Sequence, residues 1–334
     1  MQRIFKLFQR KKVLAVSGLN SEIIKEAGSK YNFVQSELKL IRANESYVFE
    51  AGENAIFRIT PDNHKTFEEI CAQTAWQHYL NKNYEQAAEV LYSPFGNLAE
   101  TIQTETGSYT VVVQKKYIGK IITSKEWINK LFFKIGKLTG KFHALTKLYN
   151  PDTIISQLKC WSISNPEKIK KLIPETEHFL TRKFESCLLE IERLTITKEN
   201  FGMVHYDIHR GNMLLNNNNI CIFDFEDACH TWFVSDIASV LFHALMNNKK
   251  TLNESRSYLK NFTHYFFQGY KTENSIAENE LLWLPHFLSL RTIANYAYLH
   301  KIWDFRNLDP SQKEFAELNK ILAYADYINL DIDY

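Results

Sequence analysis

The stretch from Val204 to Asp227 constrains this chain more than any other. It begins Val204-His205-Tyr206-Asp207-Ile208-His209-Arg210-Gly211-Asn212-Met213-Leu214-Leu215, passes through asparagines at Asn216 to Asn219, and ends Ile220-Cys221-Ile222-Phe223-Asp224-Phe225-Glu226-Asp227. The pattern is an apolar strand, a loop crowded with Asp, His and Asn, a second short strand, a tight turn, and a third strand ending in acids. Asparagine tolerates positive φ, which a two-residue hairpin turn demands. A hairpin with Asp207 and Asn212 at one end and Asp224 at the end of the next strand makes a compact acidic pocket. Such a pocket suits a hard divalent cation, because Mg²⁺ takes few protein carboxylates and leaves its other positions to water and phosphate.

The spacing narrows the chemistry. Asp207 and Asn212 form D-x-x-x-x-N, and Asp224 follows on the next strand. Phosphoryl-transfer enzymes of the protein-kinase type use this order: an Asp that accepts the hydroxyl proton, an Asn on the ion, then an Asp bridging ion and phosphates. His205-x-Asp207-x-His209-x-x-Asn212 followed by Asp224-Phe225-Glu226-Asp227 resembles the aminoglycoside phosphotransferase and choline kinase-like superfamily. Phe223 to Ala228, with Trp232-Phe233-Val234-Ser235-Asp236-Ile237-Ala238, resembles a bacterial branch of that superfamily described only as phosphotransferases. The likeness runs over residues 35–305.

The resemblance implies an α+β, protein kinase-like bilobal fold. Its N-lobe is a small antiparallel sheet with one main helix; its C-lobe is larger and mostly helical. The expected division is an N-terminal extension at 1–30, a nucleotide-binding N-lobe at 31–117, and a helical C-lobe at 118–334 with its catalytic loop at 203–227. Asp207 is then the catalytic base, and Asn212 and Asp224 are the Mg²⁺ ligands. Asp227 either ligates a second ion or fixes the loop by hydrogen bonds. Glu226 stands where protein kinases place Gly, as the small-molecule branch does. Arg58, at the end of Ala55-Ile56-Phe57-Arg58-Ile59, is the expected cation on the α- and β-phosphates. Its usual Glu partner would stand at position 73, but this chain has Gln73. Glu69, one helical turn earlier, is the candidate substitute.

Lys115-Lys116-Tyr117-Ile118 matches the hinge that reads adenine, and Asn44-Glu45-Ser46 occupies the turn over the phosphates. Lys115, Tyr117 and Ser46 are therefore cofactor-site candidates, with Arg58 and Gln73. His205 and His209 allow two readings. H-x-D-x-H can present three ligands of a transition metal on one strand face; the resemblance makes the first histidine a support of the catalytic loop instead. Arg210 either neutralises phosphate or lies in solvent. Asp236 is expected to cap a helix and brace the catalytic loop. His143 is read as a core histidine, and Trp283, Arg291, Tyr296, His300 and Trp303 as a late helix near the acceptor, mostly packing. The segment Leu281 to Phe305 carries one carboxylate, Asp304, which does not favour a polycationic aminoglycoside.

Along the chain, Ser21 is read as the cap of a helix to Tyr31. Strands follow at Phe33–Ile41, Ser46–Ala51 and Asn54–Ile59, a helix at Phe67–Asn81, and strands at Val90–Ser93 and Ser108–Gln114. Helices are expected at Lys125–Thr146, Glu175–Leu194, Val234–Asn247, Ser255–Tyr270, Glu278–His300 and Gln312–Ala325.

The 334 residues can bury a sizeable core, and a formal net charge of +2 gives no reason to expect nucleic acid. Five scattered cysteines form no C-x-x-C pair, which fits a reducing cytoplasm. No apolar run reaches the ~18 residues of a membrane span. Residues 1–12 are basic and apolar at helical spacing and read either as a tail or as a contact with an anionic membrane surface. The expected function is ATP- and Mg²⁺-dependent phosphorylation of a hydroxyl on an amino-alcohol, aminoglycoside or homoserine-like compound, with GTP as the other donor. A protein Ser/Thr kinase, a nucleotide-binding regulator with weak catalysis, and a hydrolase built on His205 and His209 are the alternatives.

Overall fold

Residues 19–43, 45–150, 160, 166–247 and 252–327 are described by the computed structural model. The basic segment 1–12 and Asn44 lie outside them. Helix α1 (Ser21–Ser29) is capped by Asn20, whose side chain accepts from the N–H groups of Glu22 and Ile23. The cap thus falls one residue before Ser21, since Asn20 holds the extended backbone a cap needs. Asn32 has φ 61°, and a 3₁₀ turn at Gln35–Glu37 follows, so the first strand starts later than expected.

Strands β1 (Leu38–Ala43), β2 (Tyr47–Ala51) and β3 (Ala55–Pro61) form an antiparallel meander. Helix α2 (Phe67–Asn83) opens on a capping box in which Thr66 and Glu69 exchange hydrogen bonds. Strands β4 (Glu100–Thr104) and β5 (Gly107–Lys115) close the sheet in the order β1-β2-β3-β5-β4. The expected strand at Val90–Ser93 is a single bridge from Val90 to Gln114. The chain turns away at Pro94 and Gly96, whose φ is 83°. Its place is taken by β4, where Ile102 is the one large apolar residue.

Side chains alternate across this sheet. Phe57, Ile59, Val111 and Val113 pack with Ile23, Ala27 and Tyr31 on the α1 side. Val112 faces the other way, with Ile70 of α2. Arg58 pairs with Val112 and with Val48, and Val48 pairs with Arg42, so these four share the α2 face.

The rest is mostly helical. Strand β6 (Lys120–Ile121) precedes helices α3 (Asn129–Leu148), α4 (Pro166–Lys170) and α5 (His178–Ile191). Next come β7 (Phe201–Val204), β8 (Met213–Asn216), β9 (Asn219–Ile222) and β10 (Cys229–Trp232). Helices α6 (Phe233–Asn247), α7 (Leu252–Tyr270), α8 (Glu278–Leu281), α9 (Leu284–Ile302) and α10 (Pro310–Tyr324) complete it. The helix expected at Glu278–His300 is therefore two. Pro285 has no N–H to give and sits in the first turn of α9, so the chain restarts there.

Two small sheets, β6-β8-β9 and β10-β7, accompany these helices. Helices α3 and α7 meet backbone to backbone: a Cβ on Gly136 would fall 1.8 Å from the Phe266 carbonyl oxygen, and one on Gly269 would fall 1.9 Å from that of Phe133. Helix α2 is fastened to this half. Trp76 is fully buried against Phe142 and Phe225, and its Nε1 donates to Thr146 Oγ1 at 3.0 Å, which in turn donates to the Met203 carbonyl.

Candidate active site

Strand β7 delivers a loop whose backbone is held at one strained point. Tyr206 has φ 63°, a conformation that costs a non-glycine residue about 1–2 kcal/mol. Asp236 accepts its N–H at 2.8 Å, and Ser239 Oγ donates to its carbonyl at 2.7 Å. Asp236 lies inside the first turn of α6, since that helix begins at Phe233, so the expected capping role gives way to contacts with the loop. Its other oxygen meets His143 Nε2 at 3.0 Å, and His143 Nδ1 meets the Tyr270 hydroxyl at 2.8 Å.

His205 is spent on backbone. Its Nε2 donates to the Phe223 carbonyl at 3.2 Å, and its Nδ1 accepts from Asp207 N at 3.3 Å. Burial lowers its pKa, against the opposing pull of Asp207, Asp236 and Asp224. His209 Nδ1 accepts from Gly211 N at 2.9 Å, leaving Nε2 to face Asp207. The three-ligand reading of His205, Asp207 and His209 therefore fails on geometry. Among the described residues no group of three His, Cys, Asp or Glu could hold a metal.

Asp207 is surrounded by donors. Oδ2 accepts from Asn212 Nδ2 at 2.8 Å and lies 3.3 Å from His209 Nε2. Oδ1 lies 2.9 Å from His243 Nε2 and 3.8 Å from Arg291 Nη2. Burial alone would raise its pKa; His209 and His243 outweigh that and hold the carboxyl well below the usual range. The same burial pushes His243 down to about 4, with Asp207 pulling it partly back.

Asn212 and Asp224 are lashed together, because Phe223 N donates to the Asn212 carbonyl at 3.0 Å. Asn217 and Asn218 make the hairpin turn, at φ 46° and 69°. The Asn212 amide nitrogen is committed to Asp207, so its side-chain oxygen is the atom free to meet a cation. Asp224 stands at φ 66°, where the strand ends. A divalent cation fits this pair. Both donors are hard oxygens, and further carboxylates stand close by. Burial and the Asp207 and Asp224 charges raise the Asp227 carboxyl to about 7.

Residues 37–273 match the profile of the phosphotransferase enzyme family. The chain belongs to that family. An amicoumacin kinase of Bacillus subtilis (strain 168) is 28% identical over 297 residues, covering 88% of each chain. A solved amicoumacin kinase in complex with AMP-PNP, Ca²⁺ and Ami has a TM-score of 0.84 at 25% identity, covering 100% of this chain and 98% of that one. A microcompartment-associated aminopropanol kinase gives 0.70 at 17% identity, covering 91% and 95%. A spectinomycin phosphotransferase in complex with ADP and spectinomycin gives 0.59 at 12%, covering 93% and 97%. The kinase-like fold, sheet-rich at the N-terminal side and helical after it, is shared with these structures. Family membership and the amicoumacin kinase likeness support a kinase acting on a small molecule.

In this phosphotransferase the sheet-side residues converge on Glu226. Arg58 Nε lies 3.7 Å from Glu226 Oε1, Ser46 Oγ donates to the same oxygen, and Lys65 donates to the Glu226 carbonyl. Gln73 Nε2 donates to the carbonyls of Glu226 at 2.5 Å and Ala228 at 2.9 Å. Glu69 is occupied in its capping box and does not reach Arg58. Arg42, from β1, meets Asp224 Oδ2 at 3.2 Å and Glu226 Oε2 at 3.4 Å. Burial would raise the Glu226 pKa, but Arg58 and Arg42 outweigh it and lower it.

Lys115 and Tyr117 do not join this group. Lys115 N and Nζ both go to Glu89, and the Tyr117 hydroxyl donates to the Glu85 carbonyl. Arg42, Lys65 and His243 join the site without having been singled out in the sequence. For His243 a signal existed: it stands seven residues after Asp236, on the same face of α6.

Proposed function

We propose that this phosphotransferase moves the γ-phosphoryl group of ATP to a hydroxyl of a small molecule of the amicoumacin type, with Mg²⁺ as the divalent ion. GTP is the alternative donor. The observation that carries the reading is Asp207: an ionised carboxylate held between Asn212, His209 and His243, beside the Asn212–Asp224 pair. Asp207 would orient the acceptor hydroxyl and take its proton as the new O–P bond forms; the electrons of the broken P–O bond leave with ADP. So depressed a carboxylate is a weak base, so its main contribution is orientation, as in phosphoryl transfer generally. Asn212 and Asp224 would hold the ion, which neutralises phosphate charge when bound. Arg58 would meet the phosphates, with Gln73 fixing the backbone that presents Glu226. Asp236 would support the loop through the Tyr206 N–H, and Asp227 would stand beside it as a further carboxylate.

The acceptor class is supported by the identity and coverage shared with the Bacillus subtilis kinase. The regulator reading rested on Gln73, and Arg58 has a carboxylate in Glu226 all the same. We place the activity in the cytoplasm, where ATP is supplied. A coupled assay with ATP and Mg²⁺ over amicoumacin, amino-alcohols, aminoglycosides and homoserine-like compounds tests this, with Asp207→Ala as the blank. Amicoumacin should turn over, and Asp207→Ala should lose about 10²–10⁴-fold in kcat while still binding nucleotide. Silence across the panel, or an Asp207→Ala enzyme as fast as wild type, would end the proposal.

A further inference from the structure

We infer that Arg42 is a phosphate-binding residue, which exchanges Asp224 and Glu226 for the phosphate oxygens of the nucleoside triphosphate when that ligand binds. The inference rests on the kinase reading of the cleft above.

A bulge in β1 aims this side chain. Leu40 pairs with Phe49 and Arg42 with Val48, so two steps along β1 match one step along β2. Ile41 is the extra residue, and it is 48% exposed. Without the bulge, Ile41 would oppose Val48 and Arg42 would turn to the other face of the sheet. With it, Arg42 lies in one row with Val48 and Arg58, on the cleft face and two strands from Arg58. Bulges beside active sites re-aim side chains in this way. Two guanidiniums therefore flank Glu226, with Arg58 near Oε1 and Arg42 near Oε2.

The contacts that hold Arg42 are incomplete. Its fork is divided between two carboxylates, at 3.2 and 3.4 Å, instead of closing on one. Its Nε is buried without a hydrogen-bond partner. An arginine fork has five donors, and phosphate matches its geometry. Asp224 is also the carboxylate that fits the divalent ion. A cation there competes with Arg42 for the same carboxylate, and the phosphate chain the ion accompanies offers the displaced guanidinium a further anion beside Glu226. The turn after β1 has no glycine-rich sequence to wrap phosphates with backbone N–H groups. An arginine on the strand leading into that turn supplies positive charge in its place.

The test is calorimetric titration of wild type, Arg42→Ala and Arg42→Lys with ATP and with AMP, each with MgCl₂, alongside melting curves without nucleotide. Arg42→Ala should weaken ATP binding about ten-fold or more, the scale of a lost charge-assisted contact, and leave AMP binding unchanged. Arg42→Lys should recover part of the loss, and the ligand-free melting temperature should hardly move. Equal loss for ATP and AMP with a lowered melting temperature would make Arg42 a structural bolt and overturn the inference. Unchanged or tighter ATP binding in Arg42→Ala would make it a mere occupant of the ion's place, and overturn it too. A wild-type protein that binds neither nucleotide defeats the kinase reading itself, a result distinct from any difference between variants.

Discussion

Arg58 finds its carboxylate on Glu226, 3.7 Å across the cleft, and not on the helix that follows its own strand. The acid stands not on α2 but just past the end of the β8–β9 hairpin. Position 73, where the acid would otherwise stand, has become a donor that clasps the Glu226 and Ala228 carbonyls.

Restoring the acid on α2 should therefore do harm. Gln73→Glu replaces two donated hydrogen bonds by a carboxylate facing carbonyl oxygens in a site that is 1% exposed. We expect a loss of about 1–3 kcal/mol in urea unfolding and reduced turnover. Turnover above wild type would show that the acid still belongs on α2.

Asp236→Ala removes the acceptor for Tyr206 N–H and for His143, both buried. The cost should be about 3 kcal/mol or more, since two buried donors are orphaned at once. Tyr206 would be free to leave φ 63°, taking Asp207 out of line. The expected signature is a fall in kcat larger than any change in nucleotide affinity. Equal losses in both would mean general unfolding and not a misplaced loop.

His243 makes stability fall with acid in a defined window. Its folded pKa, about 4, lies below the free value of 6.5, so between those limits the unfolded chain binds a proton the folded chain refuses. Asp227 acts with the opposite sign: its carboxyl, raised to about 7, binds a proton first in the folded state. The comparison must therefore be between wild type and His243→Gln. Unfolding free energies measured at intervals from pH 7 to pH 4.5 should decline less steeply in the variant, by up to roughly 1 kcal/mol per pH unit. Parallel curves would remove His243 from the account.

Gly136→Ala pits propensity against packing. Alanine in a helix gains about 1 kcal/mol over glycine. The added Cβ would stand 1.8 Å from the Phe266 carbonyl oxygen, and backbone there cannot step aside cheaply. Overpacking of this kind costs about 1–3 kcal/mol and more when backbone must move. We expect net destabilisation in thermal melts; a stabilised variant would mean that the α3–α7 contact is looser than drawn.

The hairpin was legible because its signals are local: asparagines at positive φ, an acid at each strand end, apolar residues between. Strand β4 was hidden because Glu100-Thr101-Ile102-Gln103-Thr104 shows one large apolar residue, while the apolar run at Val90 drew attention to a segment that makes one bridge. The break before α9 is written in Pro285, which has no N–H to continue a helix. Arg42 and Lys65 could not be read at all, since they meet Asp224 and Glu226 across 182 and 161 residues of chain. The bulge that aims Arg42 is a matter of pairing register, which β1 alone does not reveal.

The burial of Trp76 closes off one mode of control. Many kinases are silenced by swinging the helix that follows the phosphate-binding strand away from the cleft. Here that movement would drag an indole out from between Phe142 and Phe225 and break its bond to Thr146. Helix α2 is thus a fixed wall of the cleft, and a swing of that kind would carry the cost of exposing a whole indole.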